Sequence, residues 1–164
     1  MRVKLTFLFL SLVVASTAFA AHHMAGENAP AADGKAVIEY LNQQKYQDNW
    51  QLWPGKSELY KGTHPHGAFL TTYVSAGAYK AIEEKAGGIP DGGFIVKENY
   101  SPEKKLAAVT VMYKKSGYNP EGGDWFWLKY APDGKIEKEG KVGGCIGCHS
   151  AVQTNDWLFI GPLK

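Results

Sequence analysis

The residues with the clearest potential for chemistry lie near the C-terminus, where the sequence reads "GGCIGCHS" over residues 143–150. Cys145 and Cys148 are the only cysteines in the chain, and His149 follows them directly. Two thiols at this spacing suit a redox-active disulfide, part of a zinc site, or covalent attachment of a haem whose iron the histidine coordinates.

The position of this motif in the chain favours haem attachment. A redox-active cysteine pair normally opens a helix after the first strand of a βαβ unit, whereas Cys145 and Cys148 lie in the last twenty residues. A zinc site needs a fourth ligand and usually a second cysteine pair. Haem attachment uses all three side chains, because the thiols bond the vinyl groups and His149 binds the iron. The motif therefore predicts a c-type haem protein with one haem c.

The N-terminal segment predicts export. Residues 1–20, "MRVKLTFLFLSLVVASTAFA", contain Arg2 and Lys4, then an apolar run, then the small-residue ending Ala18-Phe19-Ala20. This is the pattern of a cleaved secretory signal peptide. Haem is attached covalently outside the cytoplasm, so the two signals agree. We expect a soluble periplasmic protein without a membrane span.

Composition narrows the class of protein further. The chain has 164 residues, 45% of them hydrophobic and 21% charged, which suits one globular domain. Without Arg2 and Lys4, Lys plus Arg falls from 18 to 16 and equals the 16 Asp plus Glu. The mature chain would be near neutral, with lysine as its only fixed cation. Nucleic acid is therefore not an expected partner.

Hydrophobic patterns predict a single α+β domain over residues 33–164, after a flexible leader at residues 21–32. The expected architecture is an antiparallel β-sheet with flanking helices and a C-terminal haem-attachment segment. The expected helices are 34–46, capped by Asp33, and 76–86, capped by Ser75; the expected strands are 68–74, 94–100, 106–114 and 124–130. Because the last strands are apolar on both faces, we expect the two helices on one face and a bulky apolar group on the other.

From about residue 59 to residue 160 the chain resembles the cytochrome P-460 and cytochrome c′-beta family. The segments "GTHPHGAFLTTYV", "IPDGGFIVKENY", "GDWFWLKYAPDGK" and "GCIGCHSAVQTNDWLFI" carry the resemblance. It implies a small exported monohaem cytochrome whose iron is mostly five-coordinate, with an open distal face. Members oxidise hydroxylamine or bind nitric oxide. A redox partner cytochrome is implied, and homodimers are common in the family.

The resemblance also assigns roles to two strand residues. Lys97 matches a lysine that the P-460 branch cross-links to the porphyrin; strand alternation alone favours a lysine on a solvated face, and the two-faced apolar sheet with the family position makes the two interpretations equal. Leu70 stands where the hydroxylamine oxidisers carry a distal arginine, and the mature chain contains no arginine. An apolar residue at this position favours a diatomic ligand. A non-catalytic gas-binding or electron-transfer cytochrome is therefore the alternative function.

The remaining candidates are polar residues that would act on the distal side. His66 is expected to act there as a hydrogen-bond donor, proton shuttle or sixth ligand, or else to tie down the His-Pro-His-Gly turn. Glu98 and Glu139 are candidate proton acceptors, each with a structural or solvated alternative. Met112 lies mid-strand and is expected to be core rather than an axial ligand, which argues against an ordinary electron carrier.

Overall fold

The computed structural model describes residues 29–159 and 161–163, so the predicted signal peptide and most of the leader lie outside the described residues. The described residues form an α+β fold, which confirms the predicted class. The helices are α1 (Gly34–Gln44), α2 (Tyr46–Asn49), α3 (Ala76–Glu83) and α4 (Gly143–His149). The strands are β1 (Gln51–Leu52), β2 (Tyr60–Lys61), β3 (Phe69–Val74), β4 (Phe94–Tyr100), β5 (Leu106–Lys114), β6 (Trp125–Tyr130) and β7 (Ile136–Gly140).

The strands form one antiparallel sheet in the order β1-β3-β4-β5-β6-β7, and β2 also pairs with β3. The register aligns Lys97 in the middle of β4 with Thr72 of β3 and Thr110 of β5. Directly opposed residues of neighbouring strands project to the same side of a sheet. The alignment therefore places a short polar row across one face of the sheet.

Each sheet face is covered by a different set of elements. On the first face, Val37 and Leu41 of α1 join a core cluster with Phe94 and Val96 of β4. On the second face, which we call the cleft face, residues of α3 and of the C-terminal segment join a cluster with Ile95. The expectation that both long helices cover one face is wrong. Each helix has its own apolar stripe, and the two stripes pack on opposite sides.

Helix α1 is shorter than the sequence predicts. Lys45 adopts a left-handed conformation with φ 46° and separates α1 from the short helix α2. The N-terminus of α1 is bonded from two directions: Ala36 N–H donates to Asp33 Oδ1 at 3.0 Å, and Gly34 N–H donates to Glu139 Oε2 at 2.7 Å. Glu139 therefore stabilises a helix start, where unpaired N–H groups favour a carboxylate.

Three short or charged strands escaped prediction from the sequence. β1 and β2 have two residues each, and they lie in a Pro- and Gly-rich stretch that indicates loop. β7, "IEKEG", reads as a charged surface run, and it pairs with β6 at the edge of the sheet. Charged residues are typical of edge strands, because they discourage pairing with other chains. Within the described residues, the helices are all too short or too polar to cross a membrane.

Candidate functional site

Helix α4 contains the predicted haem-attachment residues. Cys145 is half-buried, Cys148 is exposed, and both thiols are free. Residues three apart on a helix project to the same side, so the two sulfurs lie one turn apart on one face. A Cβ added at Gly143, Gly144 or Gly147 would meet no described atom within 4 Å apart from the adjacent residues and the backbone of α4. The chain itself therefore leaves space beside α4.

His149 ends this helix, and a single hydrogen bond orients its imidazole. Nδ1 lies 2.7 Å from the carbonyl oxygen of Trp157. Because a carbonyl oxygen only accepts, Nδ1 must carry the hydrogen, and Nε2 keeps its lone pair. Burial lowers the pKa of His149, and the bond to Trp157 only partly opposes this effect. The neutral imidazole with a free Nε2 is the form that binds metals.

A cleft lies in front of His149 on the cleft face of the sheet. Its lining is mostly apolar and consists of Trp53, Ile95, Lys97, Met112, His149, Leu158 and Phe159. Phe159 is 56% exposed, and its ring centroid lies 5.2 Å from that of His149. Met112 is buried and lines the cleft from β5, so it belongs to the core and also to the wall of the site.

Lys97 is the charged residue that lines this cleft. It projects from the middle of β4 beside Ile95 and is only partly exposed, so it does not lie on a solvated face. Burial lowers its pKa from 10.5 to about 8, because the ammonium form loses hydration. A larger share of Lys97 is therefore the neutral, nucleophilic amine at neutral pH than for an ordinary lysine.

His66 faces the same region, and Asn99 determines its tautomer. Asn99 Nδ2 donates to the carbonyl oxygen of Lys97 at 2.9 Å, while Gly67 N–H donates to Asn99 Oδ1 at 3.3 Å. The amide oxygen therefore points at His66 Nδ1, 3.1 Å away, and this nitrogen must donate. Nε2 is left as an acceptor. The His66 and His149 ring centroids lie 6.4 Å apart.

The charge state of His66 follows from its surroundings. Burial lowers the pKa of His66 to about 4, and the nearby positive charge of Lys97 adds to the effect. The imidazole is therefore neutral at neutral pH. His66 is tied to Asn99 next to the turn, as its structural alternative predicted, and its ring also lies close to that of His149. In this form it accepts a hydrogen bond at Nε2 rather than donating one.

Glu98 is not placed to act in the cleft. It is 1% exposed and lies on the opposite sheet face from Lys97. Its carboxylate accepts hydrogen bonds from the Tyr46 hydroxyl at 2.9 Å, from Gln47 and from the Tyr100 hydroxyl. These donors pair with both carboxylate oxygens. Glu98 therefore ties α2 to β4, as its structural alternative predicted.

Leu70 is an apolar residue on the cleft face. It is 4% exposed and aligned with Asn99 across β3 and β4, so both side chains project to the side of the sheet that carries Lys97. An arginine here would place a cation next to His66 and Lys97. The observed leucine instead adds apolar surface to this face.

The donor set of this region fits a haem. Cys145, Cys148 and His149 supply two thiols and one neutral imidazole from one helix, next to an apolar cleft. Trp127, whose ring centroid lies 4.7 Å from that of His149, has a buried indole N–H without a hydrogen-bond partner among the described residues. A buried unpaired donor is costly and is normally satisfied by another group. Cys145, Cys148 and His149 are the residues that would hold the haem.

The comparison with protein families agrees with this geometry. The family model for cytochrome P460 matches residues 44–160, which span the whole sheet, the cleft and α4. The chain belongs to the cytochrome P460 family. This confirms the resemblance noted in the sequence and makes the protein a haem-binding cytochrome. No curated protein sequence matches the chain significantly.

Several residues of this P460-family site could not be singled out from the sequence. Asn99 sets the tautomer of His66, and the backbone carbonyl of Trp157 sets that of His149. Strand alternation puts Asn99 on the face of Lys97, and that pattern was the available signal for it. A backbone acceptor such as the Trp157 carbonyl has no side-chain signature, so no motif points to it.

Proposed function

We propose that this protein is an exported c-type cytochrome that carries one haem c and oxidises hydroxylamine in the cleft. Cys145 and Cys148 would bond the haem, and His149 Nε2 would be the axial ligand. A haem bound here supplies an iron site for the substrate nitrogen and a one-electron path to a redox partner cytochrome. The observation that carries the proposal is the neutral His66, whose Nδ1 is bonded to Asn99 and whose ring centroid lies 6.4 Å from that of His149.

His66 has the properties of a proton acceptor. Hydroxylamine loses protons together with electrons when it is oxidised, so the site needs a base close to the substrate. Because Asn99 holds Nδ1–H, the acceptor nitrogen of His66 is always Nε2, and no tautomer exchange is needed before proton transfer. The low pKa of about 4 makes this base weak but keeps it unprotonated at neutral pH.

Lys97 is the proposed site of a covalent bond to the porphyrin, which would replace one N–H of the amine and one C–H of the macrocycle and therefore needs a two-electron oxidant such as a peroxide. Only the neutral amine is nucleophilic, and burial lowers the pKa of Lys97 to about 8. Its place in the cleft wall, beside Ile95 and close to His149, is consistent with contact with a haem held by α4. Support for the bond itself comes from the match of Lys97 to the cross-linked lysine of the P-460 branch.

Reversible binding of nitric oxide without turnover is the second candidate function. The apolar cleft wall of Trp53, Ile95 and Leu158 supports it, as does Leu70 on the same sheet face. A diatomic ligand releases no proton, so it would not need His66 as a base. Under this function the protein would store or carry the gas, or pass single electrons.

One set of measurements on the purified holoprotein separates these functions. We expect haem that stays attached after denaturation, a mass lowered by the hydrogens lost in a lysine cross-link, and reduction of a dye acceptor by hydroxylamine. An ordinary c-type spectrum with nitric oxide binding but no hydroxylamine turnover would leave the second candidate. Colourless protein with both thiols free, from a host that matures cytochromes, would overturn both.

Export is part of the proposal and has its own test. Residues 1–20 would be removed after Ala20, so that the mature protein begins at Ala21 in the periplasm. N-terminal sequencing of the holoprotein from a periplasmic fraction should read Ala-His-His-Met. A haem protein that retains Met1 would contradict the proposed cleavage. Size-exclusion chromatography of the same sample reports whether it forms a homodimer.

A further inference from the structure

We infer that a buried ion pair between Lys114 and Asp156 positions the axial histidine, because it holds the backbone carbonyl that orients His149. The pair lies behind the site and does not line the cleft. The inference rests on the proposed ligation of the haem iron by His149. Lys114 and Asp156 would be positioning residues that act through Trp157.

Asp156 is bonded to three separate parts of the fold. Its Oδ1 lies 2.5 Å from Lys114 Nζ at the end of β5, and its Oδ2 accepts a hydrogen bond from Ile89 N–H at 2.7 Å. Its backbone carbonyl accepts from Trp125 Nε1 of β6 at 3.0 Å. The residue directly before Trp157 is thereby tied to the sheet through both its side chain and its backbone.

Lys114 is equally well held. Its Nζ also donates to the carbonyl oxygen of Gly123 at 2.8 Å, and it lies 4.1 Å from the centroid of the Trp125 ring. The side chains of Lys114 and Asp156 are only 11% and 12% exposed. Buried ion pairs contribute little net stability, since desolvation offsets the attraction between the charges. We therefore assign to the Lys114–Asp156 pair the role of fixing the turn at Asp156 and Trp157.

The backbone of Asp156 and Trp157 connects the ion pair to His149. Asp156 and Trp157 both adopt left-handed conformations, with φ 53° and 67°. Two consecutive residues of this kind are uncommon outside glycine and persist only where tertiary contacts hold them. The resulting turn directs the Trp157 carbonyl at His149 Nδ1, 2.7 Å away. The contacts of Asp156 are therefore what keeps this acceptor in place.

The strength of this hydrogen bond affects the iron. A firmly held acceptor on Nδ1–H raises the basicity of the imidazole, and a more basic imidazole binds iron more strongly and favours the ferric state. If the turn loosens, the bond to Trp157 lengthens and both effects weaken. Loss of the Lys114–Asp156 pair should therefore be visible at the iron, although neither side chain contacts His149.

The test compares Asp156→Asn with Glu98→Gln in the purified holoprotein. Asparagine tolerates the left-handed conformation and its Oδ1 still accepts from Ile89 N–H, which leaves the donor Nδ2 opposite Lys114 Nζ, so the substitution breaks the ion pair and keeps the other contacts. Glu98→Gln removes a buried charge from the opposite sheet face. We expect the iron–histidine stretching band of the ferrous protein to shift to lower frequency, and the reduction potential to rise, in Asp156→Asn alone. Both variants should unfold at lower temperature than the wild type.

The outcomes separate the inference from the proposed function. An Asp156→Asn protein with the band and potential of the wild type overturns the inference. If that variant does not fold, Lys114→Met should show the same shifts, while Lys114→Arg, which keeps the charge, should restore the wild-type band; equal spectra for these two variants overturn it as well. A wild-type protein without a histidine-bound iron overturns the ligation by His149 before any variant is compared.

Discussion

His66 and His149 have the same tautomer and the same charge state. Each donates its Nδ1–H to an oxygen that only accepts, the Asn99 side-chain carbonyl in one case and the Trp157 backbone carbonyl in the other. Each is neutral because burial lowers its pKa. At residue scale, the protein therefore provides two oriented Nε2 lone pairs whose rings lie 6.4 Å apart.

Replacing His66 should separate oxidation from ligand binding. In His66→Leu, we expect the rate of hydroxylamine oxidation to fall about 100-fold, the lower end of what a general base contributes, because the proton acceptor is lost. Nitric oxide affinity should change little. Steady-state oxidation with a dye acceptor and nitric oxide titration measure the two effects. His64→Leu, in the same turn but exposed, is the matched control and should retain activity.

Two outcomes would contradict a role of His66 as proton acceptor. A His66→Leu protein that oxidises hydroxylamine at the wild-type rate would remove His66 from the mechanism. Loss of activity in both His66→Leu and His64→Leu would point to damage of the turn rather than loss of a base.

Lys97 should make the stability of the haem-free chain depend on pH. Its pKa is 10.5 in the unfolded chain and about 8 in the fold, so below pH 8 folding buries a charged lysine at a cost. Lys97→Met should therefore raise the free energy of unfolding at pH 7 by about 2 kcal/mol, allowing for the partial exposure of the side chain. The gain should shrink between pH 8 and pH 10.5, where the wild-type lysine becomes neutral.

Denaturant unfolding at several pH values measures this effect. Lys105→Met, on the exposed turn before β5, is the control and should leave stability almost unchanged. A gain in Lys97→Met that is as large above pH 10.5 as at pH 7 would mean that packing, and not burial of the charge, is the cause.

At the scale of elements, β4 serves two different purposes on its two sides. Lys97 and Asn99 project to the cleft face, where they line or organise the site. Glu98 projects to the other face and bonds Tyr46 and Gln47 of α2. Successive strand residues project to opposite faces. The same strand therefore contributes residues to the cleft on one face and binds α2 on the other.

The alternation of β4 predicts that Glu98 matters for stability and not for the iron. Glu98→Ala should lower the free energy of unfolding by about 3 kcal/mol, because Tyr46, Gln47 and Tyr100 lose a shared buried acceptor. Thermal unfolding and the absorption spectrum of the holoprotein measure the two properties. Glu83→Ala, exposed on α3, is the control. A changed haem spectrum in Glu98→Ala with unchanged stability would contradict this division of roles.

At the scale of the whole molecule, all seven strands precede α4, the helix that carries the proposed haem-attachment residues. α4 follows β7 directly and packs Cys145 and Ile146 against the cluster on the cleft face. The C-terminal residues Trp157, Leu158 and Leu163 are buried in the same cluster. His149, the proposed iron ligand, therefore contacts both the sheet, at Trp127, and the C-terminal segment, at Trp157.

This arrangement predicts how the haem depends on the two thiols. In Cys145→Ser/Cys148→Ser/Lys97→Met, acidified organic solvent should extract all of the haem, whereas the wild type should keep its haem on the denatured chain and the double variant Cys145→Ser/Cys148→Ser should keep only haem bonded to Lys97. The reason is that a thioether survives denaturation and coordination by His149 does not. Ser150→Ala, just after the motif, is the control and should keep the haem. Haem that resists extraction from the triple variant would contradict attachment through these three side chains.

Much of the fold could be predicted because its information is local. The strands 94–100 and 106–114 were predicted with the bounds that the structure has, since alternating apolar residues and the turns between them are written into short stretches of sequence. Helices were less well bounded, because α1 ends at a left-handed lysine that no helix-ending signal marks. The charged edge strand β7 escaped because its pairing partner β6, not its composition, makes it a strand.

What the sequence by itself determined is the class of fold, the family, and the identity of Cys145, Cys148 and His149 as candidates for haem attachment. All of these depend on residue type and short spacing. Strand alternation placed Glu98 on the face opposite Lys97, but only the tertiary structure decided that Tyr46, Gln47 and Tyr100 donate to its carboxylate, and that His66 and His149 share one tautomer. It also decided that Asp156, 42 residues from Lys114, is ion-paired with it. Such contacts join residues far apart in the chain, and no local pattern encodes them.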